Sequence, residues 1–347
     1  MSTSETYEEK IEMEKISRPM VGLYLFIGGI IALILSIMAS ISLGAADIDF
    51  KTVWNSIFHY NEDVTAHQVI QEVRLPRVLG AAVVGSCFAV SGAVMQGMTR
   101  NPLADSGLLG LNAGAGFVLA LCFAFLPGLS YSFIILFSFL GATIGAGLVF
   151  GVGSLTRNGL TPMRLVLAGA AVSSLFIALS EGIAIYFNVS QDLAFWYAGG
   201  VSGAKWYHLK IITPIAVVAL ASAWIISRSI TMISLGEEVA VGLGQRTKVV
   251  KMVGMMIVLV LAGTAVSVVG GVGFVGLIIP HITRAIVGHD YRWIIPNSMV
   301  YGGLLLVLAD LAARTLNAPY ETPIGALIGV IGVPFFLYIA RKGGKEL

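Results

Sequence analysis

The sequence contains little charge. Only 12% of its 347 residues are Asp, Glu, Lys or Arg, whereas about 25% is usual in a soluble domain. Apolar residues make up 57% of the chain, and the mean hydropathy is +0.89. This composition excludes a water-soluble enzyme and leaves room for about ten membrane-spanning helices. Because the apolar runs are continuous rather than alternating, they favour an all-α polytopic membrane protein over a transmembrane barrel.

The residues that usually carry chemistry are also scarce. Cys87 and Cys122 each lie alone in an apolar run, and the five histidines form no paired or HExxH arrangement. Neither pattern indicates a disulfide framework or a metal site. The chain has no GxxxxGK[ST] phosphate-binding motif. Its 21 basic and 19 acidic residues leave a net charge of +2, which gives no reason to expect nucleic acid as a partner. We therefore expect no catalytic site, bound metal or cofactor.

Apolar runs separated by charge, proline or glycine predict the transmembrane organisation. Lys15 and Arg18 precede the first run and place the N-terminus in the cytoplasm, and an even number of spans returns the C-terminus to the same side. With this threading, 15 of the 21 basic residues lie in cytoplasmic segments. We expect one transmembrane domain over residues 20–341, between cytoplasmic tails 1–19 and 342–347. The ten predicted spans are 20–44, 76–98, 107–127, 132–155, 164–187, 208–228, 249–269, 272–287 (short, and compatible with a re-entrant segment), 294–316 and 322–341.

Glycine is abundant, with 41 residues. Small residues one helical turn apart let two helices approach closely. We expect such pairs to pack the helices of a single bundle, with homodimerisation as the weaker alternative. The pairs are Gly110 with Gly114, Gly141 with Gly145, Gly147 with Gly151, and Gly325 with Gly329.

A short amphipathic segment, residues 232–245, lies between the sixth and seventh spans; we call it the coupling segment. Glu237 and Glu238 stand where a helix would begin, and Gly242 and Gly244 would break it and shape the following turn. The pattern alone is compatible with a solvated loop helix. It equally suits a helix that docks into a groove of another protein.

Polar residues inside the predicted spans are few. Arg74 and Arg77 lie three apart at the outward end of the second span, where they could snorkel to lipid phosphates or meet a partner. Glu181 and Asp310 are the only intramembrane acids. They are too few and too scattered for catalysis or for an ion-coupled secondary transporter. Gln96, Ser173, Ser174 and Glu181 would line a path or hydrogen-bond between helices.

Several motifs together resemble one family over residues 74 to the C-terminus. It is the FecCD-type permease subunit of type II ABC importers for ferric siderophores, haem or vitamin B12. The first span carries little of this resemblance. The matching motifs are RLPR at 74–77, SGAVMQ at 91–96, NPLA at 101–104, GLLG at 107–110, RLVLAG at 164–169, LGEEVAVGLG at 235–244, GFVGLIIPHITR at 273–284, ADLAAR at 309–314, PIG at 323–325 and GVPFF at 332–336.

The resemblance implies a ten-helix subunit in a bacterial cytoplasmic membrane. Its partners would be a second permease (the same chain or a paralogue), two cytoplasmic ATPases and an extracytoplasmic binding protein. ATP would be hydrolysed on the separate ATPase subunit. A ferric siderophore is the expected substrate, because this class is the commonest in the family, and haem or cobalamin are the alternatives.

The resemblance also assigns roles to individual residues. The coupling segment would contact the ATPase, with Glu237 and Glu238 as polar contacts. Three arginines would form exposed ion pairs with acidic side chains of the binding protein. Relatives often carry hydroxyl residues where this chain has Pro162 and Met163, which leaves the geometry of the gate open. The assigned residues are Leu235, Gly236, Glu237, Glu238, Gly242 and Gly244 for coupling, Arg74, Arg77 and Arg314 for docking, and Asn101, Leu103, Thr161, Met163, Gln96, Ser173 and Ser174 for the gate and path.

Overall fold

A computed structural model describes residues 17–44, 48–154, 162–318 and 320–343. Most of both predicted tails lies outside these ranges. Apart from one isolated bridge between Ser17 and Gly288, the regular structure of the described residues is helical. The helices are α1 Pro19–Ser42, α2 Phe50–Phe58, α3 Thr65–Thr99 (with a π-helical stretch Val69–Arg74), α4 Leu111–Phe125, α5 Tyr131–Ser154, α6 Pro162–Tyr186, α7 Ser190–Ala198, α8 Trp206–Ile225, α9 Ser227–Leu235, α10 Glu237–Gly242, α11 Thr247–Val269, α12 Val275–Val287, α13 Tyr291–Thr315 and α14 Ile324–Gly343.

Each of the ten predicted spans coincides with a helix, so the prediction of an all-helical, multi-pass protein is confirmed. Among the described residues, seven helices are long and apolar enough to cross a membrane by themselves: α1, α3, α5, α6, α8, α11 and α13. The apolar parts of α4, α12 and α14 are shorter, and α12 has only 13 residues. At 1.5 Å per residue such a helix reaches about 20 Å, less than the roughly 30 Å of a bilayer core.

Helix α3 forms the centre of the bundle. It packs against α8, α11, α12 and α13, and most of its side chains are buried, whereas α1 is largely exposed. Two glycines allow the closest crossings of α3. A Cβ at Gly85 would overlap the carbonyl oxygen of Gly302 in α13, and one at Gly92 would overlap that of Gly276 in α12. These crossings put helix backbones in contact, which apolar length alone does not predict.

Two of the expected glycine pairs pack α4 against α5, as predicted. A Cβ at Gly114 would overlap the carbonyl oxygen of Gly141, and one at Gly145 would overlap that of Gly110. The expectation is wrong for Gly147 and Gly329, because no heavy atom lies within 4 Å of where a Cβ would stand at either position. Gly325 does pack closely, since a Cβ there would lie 3.4 Å from the carbonyl oxygens of Ala198 and Gly271.

The connection between α3 and α4 turns back into the bundle. The Ser91 hydroxyl, about two turns before the end of α3, donates to the Ser106 hydroxyl at 3.2 Å. Ser106 belongs to the single 3-10 turn that precedes α4. Helix α4 therefore starts inside the bundle rather than at its surface, which explains why it has only 15 residues.

Candidate functional site

The predicted site residues collect at opposite ends of α3. Near its start, the space beside Gly80 is filled by Ala204 and Leu209 at the beginning of α8. Near its end, the space beside Gly97 is filled by Ile230 of α9. Helices α3 and α8 thus run in the same direction. The coupling segment, which follows α8 and α9, lies at the Thr99 end, and Arg74 and Arg77 lie at the other.

Two glycines shape the coupling segment. Gly236 has φ +144° and joins α9 to α10, and Gly244 has φ +80° and joins α10 to α11, conformations that favour glycine. Gly244 therefore shapes the turn after α10. Gly242 is the last residue of α10, and a Cβ there would meet no heavy atom within 4 Å, so this position leaves open space on the surface.

Apolar side chains dominate the exposed surface of the coupling segment. Leu235, Val239, Val241 and Leu243 are each at least half exposed, while Ala240 is fully buried and holds α10 against the bundle. Clustered exposed apolar side chains beside charged ones are typical of interaction surfaces. The sequence-based assignment included Leu235 but missed the other three. Their signal was the recurrence of apolar residues at 239, 241 and 243, on both sides of Gly242.

The two glutamates of the coupling segment differ in their surroundings. Lys251 of α11 donates from Nζ to Oε2 of Glu237 at 2.7 Å, and both side chains are partly exposed. This hydrogen bond holds the pKa of Glu237 below its ordinary value. Glu238 is exposed. Glu237 therefore fastens α10 to α11, and Glu238 is the acid presented to solvent.

At the opposite end, the three predicted docking arginines are buried, each less than a tenth exposed. Arg77 donates from Nε to Asp310 at 2.9 Å and from Nη1 to Glu321 at 2.6 Å. Arg314 Nε lies 3.2 Å from the other oxygen of Asp310. We call these five residues, Arg74, Arg77, Arg314, Asp310 and Glu321, the arginine cluster. Arg77 and Arg314 share Asp310, and Arg77 also binds Glu321.

The arginine cluster also closes the end of α1. Arg314 donates from Nη2 to the carbonyl and hydroxyl oxygens of Ser40, and Arg74 donates from Nη1 to the carbonyl oxygens of Ile41 and Ser42. The last carbonyl groups of a helix have no hydrogen-bond donors within the helix. Arg74 and Arg314 act as those donors at the end of α1.

The expectation that the arginines form exposed ion pairs is therefore wrong for this chain, and so is snorkelling to lipid. A buried Asp310 without cations would cost several kcal/mol, roughly 3 to 5. Arg77 and Arg314 supply the cations for this acid, and Arg314 and Arg74 also reach the end of α1. Contact between these arginines and a binding protein stays a prediction.

Sequence reasoning missed Glu321. Its carboxylate accepts hydrogen bonds from both terminal nitrogens of Arg77, at 2.6 and 3.1 Å, and half of the Glu321 side chain is exposed. The hydrogen bonds from Arg77 lower its pKa. The only signal in the sequence was that Glu321 is the single acid between the ninth and tenth spans.

The predicted gate and path residues do not form one site. Gln96 is buried and donates from Nε2 to the carbonyl oxygen of Gly276 at 3.1 Å, and its Oε1 accepts from Arg284 at 2.9 Å. It thus ties α3 to α12, in agreement with the helix-to-helix alternative. Asn101 Oδ1 accepts from the backbone N–H of Leu103 at 3.0 Å and shapes the turn after α3.

The remaining path residues belong to α6. Ser174 and Glu181 are exposed and Ser173 is half-buried. Thr161 and the side chain of Met163 lie outside the described residues. One exposed side of α6 mixes small or polar residues with the large apolar side chains of Leu167, Ile177 and Ile185. Its small or polar members are Ala170, Ala171, Ser174, Ala178, Glu181 and Gly182.

Comparison with known proteins agrees with this geometry. The chain is 54% identical over 336 residues to the iron(3+)-hydroxamate import system permease protein FhuB of Bacillus subtilis (strain 168), covering 97% of this chain and 88% of the relative. It is 42% identical over 316 residues to the iron-uptake system permease protein FeuB of the same organism, covering 91% and 95%.

A solved structure described as an inward-facing conformation of a metal-chelate type ABC transporter has the same fold. It matches with a TM-score of 0.79 at 28% identity, covering 92% of this chain and 99% of that one. The family model of the FecCD transport family matches residues 32–342. The chain therefore belongs to the FecCD transport family.

Proposed function

We propose that this chain is the permease subunit of an ATP-driven importer for a ferric hydroxamate siderophore. The observation that carries the substrate class is the 54% identity, over nearly the whole chain, to a ferric hydroxamate permease. Haem and cobalamin are the alternatives. An ion-coupled secondary transporter is the weaker candidate, because the acid at the centre of the arginine cluster, Asp310, is already paired with two arginines.

The subunit would cross a bacterial cytoplasmic membrane ten times, with both termini in the cytoplasm. The domain would occupy residues 20–341, with tails 1–19 and 342–347. The short helices α4, α12 and α14 would complete their crossings together with the non-helical segments that precede them. The segment before α4 is buried against α3, and irregular backbone is tolerated at membrane depth where protein surrounds it.

The coupling segment would dock on a cytoplasmic ATPase, one of two in the assembly. Its apolar surface of Leu235, Val239, Val241 and Leu243 would enter a groove, with Glu238 at the rim and Gly242 allowing close approach. Because the chain has no phosphate-binding motif of its own, ATP hydrolysis would occur on that separate subunit.

A second permease, the same chain or a paralogue, would cover the side of α6 that carries Glu181. A carboxylate such as Glu181 is unfavourable against lipid, so this face would meet a partner or an aqueous path. Ser173 and Ser174 would line that path, and Asn101, Leu103, Thr161 and Met163 would close it at the cytoplasmic end.

An extracytoplasmic binding protein would approach the end that carries the arginine cluster. Glu321, half exposed and paired with Arg77, would lie at the contact. Acidic groups of the binding protein would compete with it for Arg74, Arg77 and Arg314. Such pairs contribute modest affinity but fix orientation.

The test is uptake of radiolabelled substrates by cells that lack their own hydroxamate permease and express this chain with its ATPase and binding protein. We expect uptake of a ferric hydroxamate, and no competition by ferric catecholate, haem or cobalamin. Uptake of haem or cobalamin instead would replace the substrate assignment. Uptake that persists with an ATPase unable to hydrolyse ATP would contradict the ATP-driven mechanism.

A further inference from the structure

Helix α2 connects α1 to α3 and is fixed to the bundle along one side. The Ser56 hydroxyl donates to the carbonyl oxygen of His67 at 3.4 Å, and Gln71 donates from Nε2 to the carbonyl oxygen of Ser56 at 2.8 Å. Val53, one turn earlier on the same side, is buried. These contacts determine which way the other sides of α2 face.

A second side of α2 is apolar and uncovered. Phe50, Trp54, Ile57 and Phe58 are spaced three or four residues apart, so they share a face. Each is about half exposed, and the Trp54 and Phe58 rings lie 4.4 Å apart between centroids. We call these four residues the aromatic stripe. Exposed to water, it would be an unusual cluster of large apolar side chains on so short a helix.

The third side of α2 is polar and consists of Lys51, Thr52 and Asn55. Lys51 is exposed and borders the aromatic stripe beside Phe58. One helix thus has a side packed on protein, a side suited to hydrocarbon and a side suited to water. This partition is expected where protein, membrane and water meet.

We propose that α2 lies in the headgroup region of the membrane. The aromatic stripe would be buried at the boundary with the acyl chains, and Lys51 would lie among the lipid phosphates. Two observations favour lipid over a protein partner. Helix α1 is largely exposed, and Leu43, the residue after it and seven before Phe50, is exposed as well, so apolar surface lies close to α2 on the α1 side. Aromatic side chains with an adjacent lysine are also the typical composition of membrane interfaces.

This position would restrain the end of α1. Ile41 and Ser42 are the last residues of α1, and their carbonyl groups accept hydrogen bonds from Arg74. In the proposed arrangement they lie where the chain passes from the membrane to its surface. Lipid contact on both sides would keep these acceptors in register with the arginine cluster. The inference requires membrane insertion but does not depend on the transported substrate.

The test is a spin-label accessibility measurement on the full chain in vesicles of phosphatidylethanolamine and phosphatidylglycerol. A nitroxide is attached at one position at a time, in Trp54→Cys, Phe58→Cys and the control Asn55→Cys on the polar side. The chain without an introduced cysteine controls for labelling of Cys87 and Cys122, both of which are buried. Collisions with oxygen, which concentrates in lipid, are compared with collisions with a water-soluble nickel chelate.

We expect the ratio of oxygen to nickel collisions to be several-fold higher at positions 54 and 58 than at position 55. Addition of the binding protein should not change it. Equal ratios at all three positions would overturn the proposal, because the stripe would then face water. High nickel accessibility at position 54 that falls only when the binding protein is added would also overturn it and would assign the stripe to that partner.

Discussion

The two ends of the bundle treat polar and apolar groups in opposite ways. The arginine cluster buries four charged residues and pairs them with each other, with the half-exposed Glu321 and with the end of α1. The coupling segment exposes four apolar side chains and holds one partly exposed ion pair. A run of charge in the sequence therefore does not mark a free surface in this protein. The exposed surface of the coupling segment is mainly apolar, and Gly242 adds no side chain to it.

The largest effect should come from removing the acid at the centre of the arginine cluster. Asp310→Ala leaves Arg77 and Arg314 buried with one half-exposed carboxylate between them. Breaking such a buried network should lower the free energy of unfolding by about 3 to 5 kcal/mol. Thermal unfolding in detergent measures it. A midpoint equal to that of the unmodified chain would mean that these charges are hydrated and the cluster is not structural.

A bulky residue at the coupling segment should act on function rather than on folding. Gly242→Leu has space for its side chain in the isolated chain but would obstruct an ATPase groove. We expect transport to fall at least about tenfold, equivalent to about 1.4 kcal/mol of lost association. Gly147→Leu is the matched control, because it too has open space around its Cβ. Equal transport by the two variants would contradict docking at Gly242.

Glu321, the half-exposed member of the arginine cluster, should give the stability of the fold a modest pH dependence. Arg77 holds the pKa of Glu321 below its ordinary value of 4.5. The stabilisation is complete above the unfolded pKa and is lost as the pH falls through the lower folded value. Stability should thus stay level from neutral pH to about pH 5 and decline in acid. Glu321→Gln should remove about 1 kcal/mol at neutral pH and flatten the decline. An unchanged acid profile in this variant would show that other carboxylates dominate.

The smallest effect is expected at the ion pair of the coupling segment. Glu237→Gln removes the negative charge that pairs with Lys251, and both side chains of this pair are more than a third exposed. A pair of this kind contributes about 0.5 kcal/mol and is screened by salt. Unfolding measured at low and high ionic strength should show a small difference that disappears in salt. If Glu237→Gln lowered the free energy of unfolding as much as Asp310→Ala does, the two ends of the bundle would not differ in how much their ion pairs stabilise the fold.

Much of the fold could be predicted from the sequence, because apolar length and turn residues determine where helices begin and end. Each predicted span coincides with a helix. The failures share a cause, which is contact between distant parts of the chain. The pairing of Arg77 with Glu321 spans 244 residues, and Gly85 meets Gly302 across two helices. The local sequence pattern does not predict which distant residues pair. It also does not show that Gly114 lies at a helix crossing while Gly147 does not.

The central claim is that the exposed surface of the coupling segment is where the ATPase binds. The most direct test is the rate at which a water-soluble maleimide modifies Val241→Cys, which lies on that surface and is more than half exposed. His59→Cys, an exposed position beside α2 at the other end of the bundle, is the control. The account predicts that adding the ATPase subunit slows modification at position 241 several-fold and leaves position 59 unchanged. Equal rates at position 241 with and without a bound ATPase would contradict it.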